Sequence, residues 1–203
     1  MKQRKDVTSK PLTSIHDCLT LHNGLAIPCM GFGTYKTTPD GTSRILKTAI
    51  DQGHRYFDTA SFYANEPLVG EAIADSGLPR EAFFIASKVW RTEMGYDKTL
   101  EAFENSLRRL RTDYLDLYLM HWPRPNPVYP HWRELGAETW RAMEDLYLAG
   151  RVRAIGVCNF LPHHLEPLLE GCRIVPMVDQ IEFHPGYPNL ATVRYCQERG
   201  IMV

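Results

Sequence analysis

A regular alternation of short apolar runs with segments of helical periodicity is the feature that most constrains the fold of this sequence. Seven runs follow one another from residue 30 onward, at intervals of about 25–40 residues. They cover residues 30–33, 56–57, 83–86, 114–120, 152–157, 177–183 and 201–203. Such runs predict parallel strands that are buried on both faces and joined by crossover helices.

Local signals mark the ends of these elements. Asn23-Gly24 lies between two alternating apolar segments, which predicts a β-hairpin with a two-residue turn ahead of the repeats. Later residues occupy cap or first-turn positions of the helix-like segments, namely Asn65, Asp97, Pro162 and Asn189. The sequence therefore predicts an N-terminal hairpin followed by repeated strand–helix units.

Two α/β architectures have this pattern: an open doubly wound sheet and a (β/α)8 barrel. A doubly wound dinucleotide-binding sheet normally shows GxGxxG after an early strand. The only glycine pair here is GFG at 31–33, and Thr34-Tyr35-Lys36 follows it without a third glycine that opens a helix. The pattern favours a (β/α)8 TIM barrel with an N-terminal hairpin.

Composition narrows the class of protein. The chain has 203 residues, 44% of them hydrophobic, which predicts one domain over 1–203, and a formal net charge of −1 argues against a nucleic-acid or membrane partner. Its five cysteines are scattered without metal-binding spacing, so we expect a reduced compartment and no metal. The start, MKQRKDVTSKP, lacks the apolar core of an export signal, and a cytoplasmic protein is expected.

Polar or ionisable residues follow five successive predicted strands. They are Asp58, Lys88, His121, Cys158 with Asn159, and Gln180. Taken alone, each has a structural explanation, such as a turn cap, a surface lysine or a half-buried histidine. Because the carboxyl ends of barrel strands meet at one mouth, their common register favours a functional site there.

The pairing of Asp58 with Tyr63 suggests acid catalysis. A tyrosine with a pKa of about 10 is a weak acid near pH 7, but an adjacent ammonium lowers that pKa. Lys88 can supply the charge, and Asp58 can keep a buried Lys88 protonated. We therefore expect Tyr63 to protonate an oxygen to which His121 also donates a hydrogen bond.

Protonation of a carbonyl oxygen is half of a carbonyl reduction, and no side chain can donate the hydride. A nicotinamide cofactor is therefore implied, and Asn159 and Gln180 have amides suited to its carboxamide. Tyr35, Trp90 and Trp122 are candidates to line a pocket for an apolar or sugar-like substrate, although core packing explains them equally well.

Six stretches together resemble the aldo-keto reductases, in that family's order and over nearly the whole chain. They are MGFGTYK (30–36), GHRYFDTASFYANEPLVGEAI (53–73), FIASKVW (84–90), LDLYLMHWP (115–123), IGVCNF (155–160) and VDQIEFHP (178–185). These stretches are most similar to those of bacterial members such as the 2,5-diketo-D-gluconate reductases. The resemblance implies a (β/α)8 barrel whose bottom is closed by the hairpin, and an NADP(H)-dependent reduction of aldehydes or ketones.

The resemblance also assigns roles by position. Tyr63 becomes the general acid, with Asp58, Lys88 and His121 completing a tetrad. Cofactor contacts fall on Thr34, Asp58, Cys158, Asn159 and Gln180, and substrate contacts fall on Tyr35, Trp90, Trp122 and His121. The alternatives are a barrel that binds the cofactor without catalysis and a truncated product without activity.

The sequence departs from the family's pattern in two ways. Cys158 stands where serine is usual and Asp179 where asparagine is commoner, from which we expect altered cofactor affinity at most. Family members are also longer, and the chain reaches ERGIMV as a seventh strand begins. Six strands and a fraction cannot close an eight-stranded barrel, so we expect the 203-residue chain alone to aggregate or need a partner and to reduce carbonyls poorly.

Overall fold

The structure, a computed structural model, describes residues 11–38 and 40–203, so the charged segment at 1–10 lies outside the described residues. Six parallel strands form one sheet: β3 (Phe32–Gly33), β4 (Tyr56–Asp58), β5 (Phe84–Val89), β6 (Leu117–Met120), β7 (Ile155–Cys158) and β8 (Val178–Gln180). Each strand pairs with the next one in the sequence. This order winds in one direction, as in a barrel, whereas a doubly wound sheet reverses after its first strands.

The sheet forms an incomplete barrel, as the sequence predicts. Beyond β8, Met202 makes an isolated parallel bridge with Val178, and its nitrogen bonds to the Met177 carbonyl oxygen at 3.0 Å. Residue 202 therefore stands where a seventh parallel strand would begin. The prediction of about six strands and the start of a seventh is confirmed.

The hairpin joins β1 (Cys18–Thr20) to β2 (Ala26–Pro28), but its predicted two-residue turn is wrong. Leu21 N donates to Leu25 O at 2.9 Å, which leaves three residues in the loop. Gly24 has a φ of 87°, whereas Asn23 does not have the positive φ that the two-residue turn requires at both positions. The Asn23 Oδ1 instead accepts a hydrogen bond from Leu25 N at 3.1 Å.

The hairpin covers the amino-terminal end of the sheet. The Asn23 amide donates to the Arg153 carbonyl oxygen, just before β7, at 3.0 Å. His22 Nε2 lies 3.3 Å from the Val175 carbonyl oxygen, which precedes β8. The opposite, carboxyl end of the strands is therefore the one left for a site.

In the described part of the chain, six α-helices connect or follow the strands: α1 (Arg44–Asp51), α2 (Glu66–Ala74), α3 (Tyr96–Leu110), α4 (Trp132–Leu148), α5 (Pro162–Gly171) and α6 (Leu190–Gln197). Pro162 opens α5, and Asn65 and Asn189 precede α2 and α6, as predicted. Asp97 lies inside the first turn of α3 instead of capping it, because Gly95 occupies the cap position. Within the described part of the chain, no helix is long and apolar enough to cross a bilayer.

Strand alternation decides which side chains reach the barrel interior. All six residues of β5 are buried. Ser87 points outward and donates to Glu66 of α2 at 2.6 Å, whereas the next residue, Lys88, points inward to Asp58. Because successive side chains of a strand point to opposite faces, Ser87 contacts a helix outside the sheet while Lys88 lies in the barrel interior.

Gly156 in β7 allows the close approach of its neighbours. A Cβ atom there would overlap the Val178 carbonyl oxygen and lie 2.8 Å from Leu119 Cδ2. We expect Gly156→Ala to lower the free energy of unfolding by about 1–3 kcal/mol, because the backbone of β8 would have to move.

Denaturant unfolding tests this against Gly136→Ala in α4. A Cβ at Gly136 would meet no atom within 4 Å. Since alanine suits a helix interior better than glycine, that control should be neutral or stabilise the protein by about 0.5–1 kcal/mol. Equal effects of the two variants would contradict the packing explanation.

Candidate active site

The polar residues predicted at the strand ends lie together at the carboxyl end of the sheet. Asp58, Cys158 and Gln180 are the last residues of β4, β7 and β8. Lys88 is the penultimate residue of β5, and His121 follows β6 directly. The parallel register therefore converts five distant sequence positions into one cluster at the mouth.

A buried ion pair lies at the centre of this cluster. Lys88 is fully buried, and its Nζ donates to Asp58 Oδ1 and to the Thr59 carbonyl oxygen. The other Asp58 oxygen accepts a hydrogen bond from Gln180 Nε2 at 2.8 Å. Burial acts to lower the pKa of Lys88, but Asp58 and Tyr63 outweigh it and raise the pKa, so Lys88 remains an ammonium ion.

Tyr63 lies above this pair, in the 3-10 turn Ser61–Tyr63 that follows β4. Its ring centre is 5.2 Å from Lys88 Nζ and 5.6 Å from the ring centre of His121. Burial raises the pKa of Tyr63 by more than the Lys88 ammonium lowers it. The expectation of a net lowered pKa is therefore wrong for this structure, because desolvation of the phenolate outweighs the attraction of Lys88.

His121 is held neutral. Burial, followed by the positive charges of Lys88 and Arg91, lowers its pKa to about 3. Its Nδ1 is buried without a hydrogen-bond partner among the described residues. A neutral imidazole can donate one hydrogen bond near pH 7 without itself losing a proton to the reaction.

Three predicted cofactor contacts make hydrogen bonds that fix the cluster. The Thr34 hydroxyl is buried and donates to the Asp58 carbonyl oxygen at 3.0 Å. The Cys158 thiol donates to Gln180 Oε1 at 3.5 Å, and burial raises its pKa to about 12, so it stays protonated. The Asn159 amide donates to the His121 carbonyl oxygen at 3.0 Å, with its backbone at a φ of 63° that asparagine tolerates well.

The mouth has amide and acceptor groups that fit a nicotinamide carboxamide. Asn159 Nδ2 is already bonded, whereas its Oδ1 accepts no hydrogen bond from the described residues. Gln180 has donor and acceptor atoms at the same rim, bonded to Asp58 and Cys158. The donor set is therefore compatible with a bound nicotinamide. Among the described residues there is no group of acidic, cysteine or histidine side chains that could hold a metal ion.

Aromatic rings border the mouth. The Trp90 ring lies 4.9 Å from that of His121, and the Tyr35 ring lies 4.9 Å from that of Tyr63. Trp122 contacts the Arg91 guanidinium at 4.3 Å. Tyr35 is half-exposed, so the alternative of simple core packing does not hold for it.

Sequence reasoning missed two residues at the mouth. Phe62 is 48% exposed and stacks on Trp90, with ring centres 3.8 Å apart. Arg91 lies against both Trp90 and Trp122. Each is the immediate sequence neighbour of a predicted site residue. Their position in the turns after β4 and β5 was the sequence signal that could have identified them.

Asp179 lies on the opposite face of β8 from Gln180, away from the mouth. Its side chain is buried beside Cys196 of α6, whose thiol donates to Oδ2 at 3.6 Å, and Oδ1 has no partner among the described residues. Burial raises the pKa of Asp179 to about 7. The folded protein therefore binds an extra proton between about pH 4 and 7, and stability should fall as pH rises through that window.

We expect Asp179→Asn to stabilise the protein by about 2 kcal/mol at pH 8 and by much less at pH 5, because the amide needs no proton to remain neutral. Denaturant unfolding at both pH values measures this. Asp113→Asn, which removes an exposed carboxylate, should change the free energy of unfolding by less than about 0.5 kcal/mol at either pH. A gain for Asp179→Asn that is equal at the two pH values would refute the burial explanation.

Comparison with known protein families and known proteins finds clear matches. A family model described as the aldo/keto reductase family matches residues 29–203. The chain is 47% identical over 192 residues to the glyoxal reductase of Bacillus subtilis (strain 168), covering 94% of this chain and 67% of that protein. It spans about two thirds of the length of the curated relatives it matches.

Solved structures of aldo-keto reductases have the same fold over most of this chain. An aldo-keto reductase enzyme from a Medee basin deep-sea metagenome library superposes with a TM-score of 0.83 at 43% identity, over 90% of this chain and 65% of that one. A Bombyx mori aldo-keto reductase in complex with NADP gives a TM-score of 0.82 at 31% identity, over 93% and 65% of the two chains.

Proposed function

The chain belongs to the aldo/keto reductase family, and from that premise we propose that it forms the catalytic part of an NADP(H)-dependent oxidoreductase that reduces aldehydes or ketones to alcohols. One observation carries the proposal: a buried Lys88–Asp58 ion pair lies below Tyr63 and His121 at the mouth of the barrel. The glyoxal reductase name of one relative and the NADP bound to another support the reaction type and the cofactor.

Tyr63 is proposed as the general acid. The phenol is protonated at neutral pH, since its pKa is raised, and so it has a proton to give. When NADPH is bound, its nicotinamide supplies the hydride. As negative charge grows on the carbonyl oxygen, Tyr63 transfers its proton to that oxygen, and Lys88 stabilises the phenolate left behind. Asp58 keeps Lys88 charged throughout.

His121 is proposed to orient the carbonyl. Its pKa of about 3 leaves it neutral over the physiological range, so it serves as a hydrogen-bond donor and not as the acid. The ring is perpendicular to that of Tyr63, at 79°, which allows both side chains to face one oxygen from different directions. Two donors at the same oxygen stabilise the developing charge more than one.

The cofactor contacts are proposed at the rim. Asn159 and Gln180 would hold the carboxamide through their amides, with Asn159 Oδ1 free to accept a hydrogen bond. Thr34, Asp58 and Cys158 would support that rim through the hydrogen bonds they already make.

The substrate is proposed to be a small carbonyl compound. Tyr35, Trp90 and Trp122, together with Phe62, would contact its carbon skeleton, because their rings border the tetrad. We also propose that residues 1–203 belong to one domain, since a single buried cluster runs from Leu21 of the hairpin to Ile201.

Hydride transfer itself is the decisive test. Protein expressed at the length its own gene encodes is mixed with NADPH and 4-nitrobenzaldehyde, and loss of absorbance at 340 nm is followed together with formation of the alcohol. Stoichiometric alcohol supports the proposal. Tight NADPH binding without turnover across a panel of aldehydes would instead favour the non-catalytic barrel.

A further inference from the structure

Arg91 places a positive charge at the mouth that none of the roles above uses. It opens the 3-10 turn Arg91–Glu93, which is separated from β5 by Trp90 alone. Its guanidinium carbon lies 4.3 Å from the ring centre of Trp122 and 5.1 Å from that of Trp90. Trp122 follows His121 in the chain, and the Trp90 ring lies 4.9 Å from the His121 ring. The guanidinium therefore lies against two rings that border the tetrad.

This charge has no counter-ion within the described residues. The structure gives Arg91 no ion pair there, and its buried Nε has no hydrogen-bond partner. The nearest acid in the sequence, Glu93, is committed elsewhere: its Oε2 accepts from the Ser61 hydroxyl at 2.6 Å and from Trp90 N at 2.8 Å. An arginine that is partly buried and unpaired retains its capacity to bind an anion.

Stacking prepares the guanidinium for that anion. The Trp122 ring limits its rotation, so less side-chain freedom is lost when a partner binds. A planar guanidinium presents parallel N–H groups that match the two oxygens of a carboxylate. Burial, Lys88 and, to a smaller extent, the positive charge of Arg91 lower the pKa of His121, in keeping with the position of Arg91 beside the tetrad.

We propose that Arg91 determines specificity, selecting carbonyl substrates that carry a carboxylate on the side remote from the reacting carbon. The carboxylate would pair with the guanidinium, while the aromatic rings contact the carbons between the two groups. This inference rests on the proposed function, because it names the substrate class of the same site.

Two aldehydes that differ in one charge test it. The gene-length protein is assayed with 4-carboxybenzaldehyde and with its methyl ester, methyl 4-formylbenzoate. We expect a higher kcat/KM for the acid, and we expect Arg91→Gln to reduce the ratio of acid to ester by about 10- to 100-fold, the range of one charge-assisted pair. Arg91→Lys keeps the charge without the planar guanidinium, and its acid-to-ester ratio should fall between those of the wild type and Arg91→Gln.

Arg199→Gln is the matched control. Its guanidinium also lies over a ring, 3.5 Å from the centre of Tyr195, but it follows α6 and is not among the strand-end residues of the mouth. It should leave the ratio unchanged. A ratio that Arg91→Gln does not alter would overturn the inference while the proposed function stands.

A binding measurement keeps the two proposals separable. If neither aldehyde is reduced, the proposed function fails, and quenching of tryptophan fluorescence by 4-(hydroxymethyl)benzoate then tests the carboxylate site alone. Binding that is about tenfold or more weaker in Arg91→Gln than in the wild type supports the site. Equal binding by the two proteins overturns it.

Discussion

Tyr63→Phe is expected to reduce kcat for carbonyl reduction by about 10²- to 10⁴-fold while leaving the fold intact. The substitution removes one oxygen, and with it the proton proposed to reach the carbonyl oxygen. The ring that packs against Tyr35 and His121 is retained. Steady-state oxidation of NADPH by an aldehyde measures the loss.

Three measurements make this result specific. The NADPH dissociation constant of Tyr63→Phe should match that of the parent and its thermal midpoint should change little, because the hydrogen bonds that Asp58 accepts from Lys88 and Gln180 remain. Tyr195→Phe, on α6 and remote from the mouth, should retain full activity. If Tyr63→Phe keeps more than a tenth of the parental kcat, another group is the acid.

Lys88→Met is expected to lower the free energy of unfolding by about 3–5 kcal/mol in addition to removing activity. Lys88 is fully buried, and its loss leaves the mostly buried Asp58 carboxylate with the Gln180 amide as its only side-chain partner among the described residues. An uncompensated charge in the barrel interior is costly because it has lost its hydration without gaining a counter-ion. Denaturant unfolding of the gene-length protein measures the change.

A double-mutant cycle separates the ion pair from the loss of packing. Lys88→Met combined with Asp58→Asn should cost less than the sum of the single variants, because neither charge is then left alone. The same cycle on the exposed pair Lys47–Asp75, whose side chains are 44% and 50% exposed, should give a coupling below about 1 kcal/mol. Similar coupling free energies for both pairs would show that burial does not strengthen the Lys88–Asp58 interaction.

The hairpin and the helix ends show how accurately short sequence motifs predict local structure. Asn23-Gly24 correctly located a hairpin, yet the loop has three residues, because the Asn23 side chain bonds to the backbone of Leu25. Asp97 was placed in the right helix, but the cap position lies two residues earlier, at Gly95. Competition between side chain and backbone for the same donors is decided by geometry that a short motif does not specify.

The ionisation of Tyr63 and the environment of Arg91 depended on the tertiary structure. Sequence reasoning paired Lys88 with Tyr63 and expected a lowered pKa, but the balance with desolvation requires the actual burial of the phenol. Arg91 had no distinguishing pattern, and its relation to Trp122 joins the ends of two different strands.

The sequence alone determined the strand–helix repeat, the hairpin and the set of polar residues at the strand ends, and its resemblance to a family added the incomplete barrel. It could do so because apolar periodicity is set by the repeat of each element, and because parallel strands bring their carboxyl ends together whatever the loops contain. Only the tertiary structure decided which of those residues touch, which are desolvated and which charge is unpaired. Those properties depend on the distance between side chains far apart in the chain, and electrostatic energies change steeply with distance and burial.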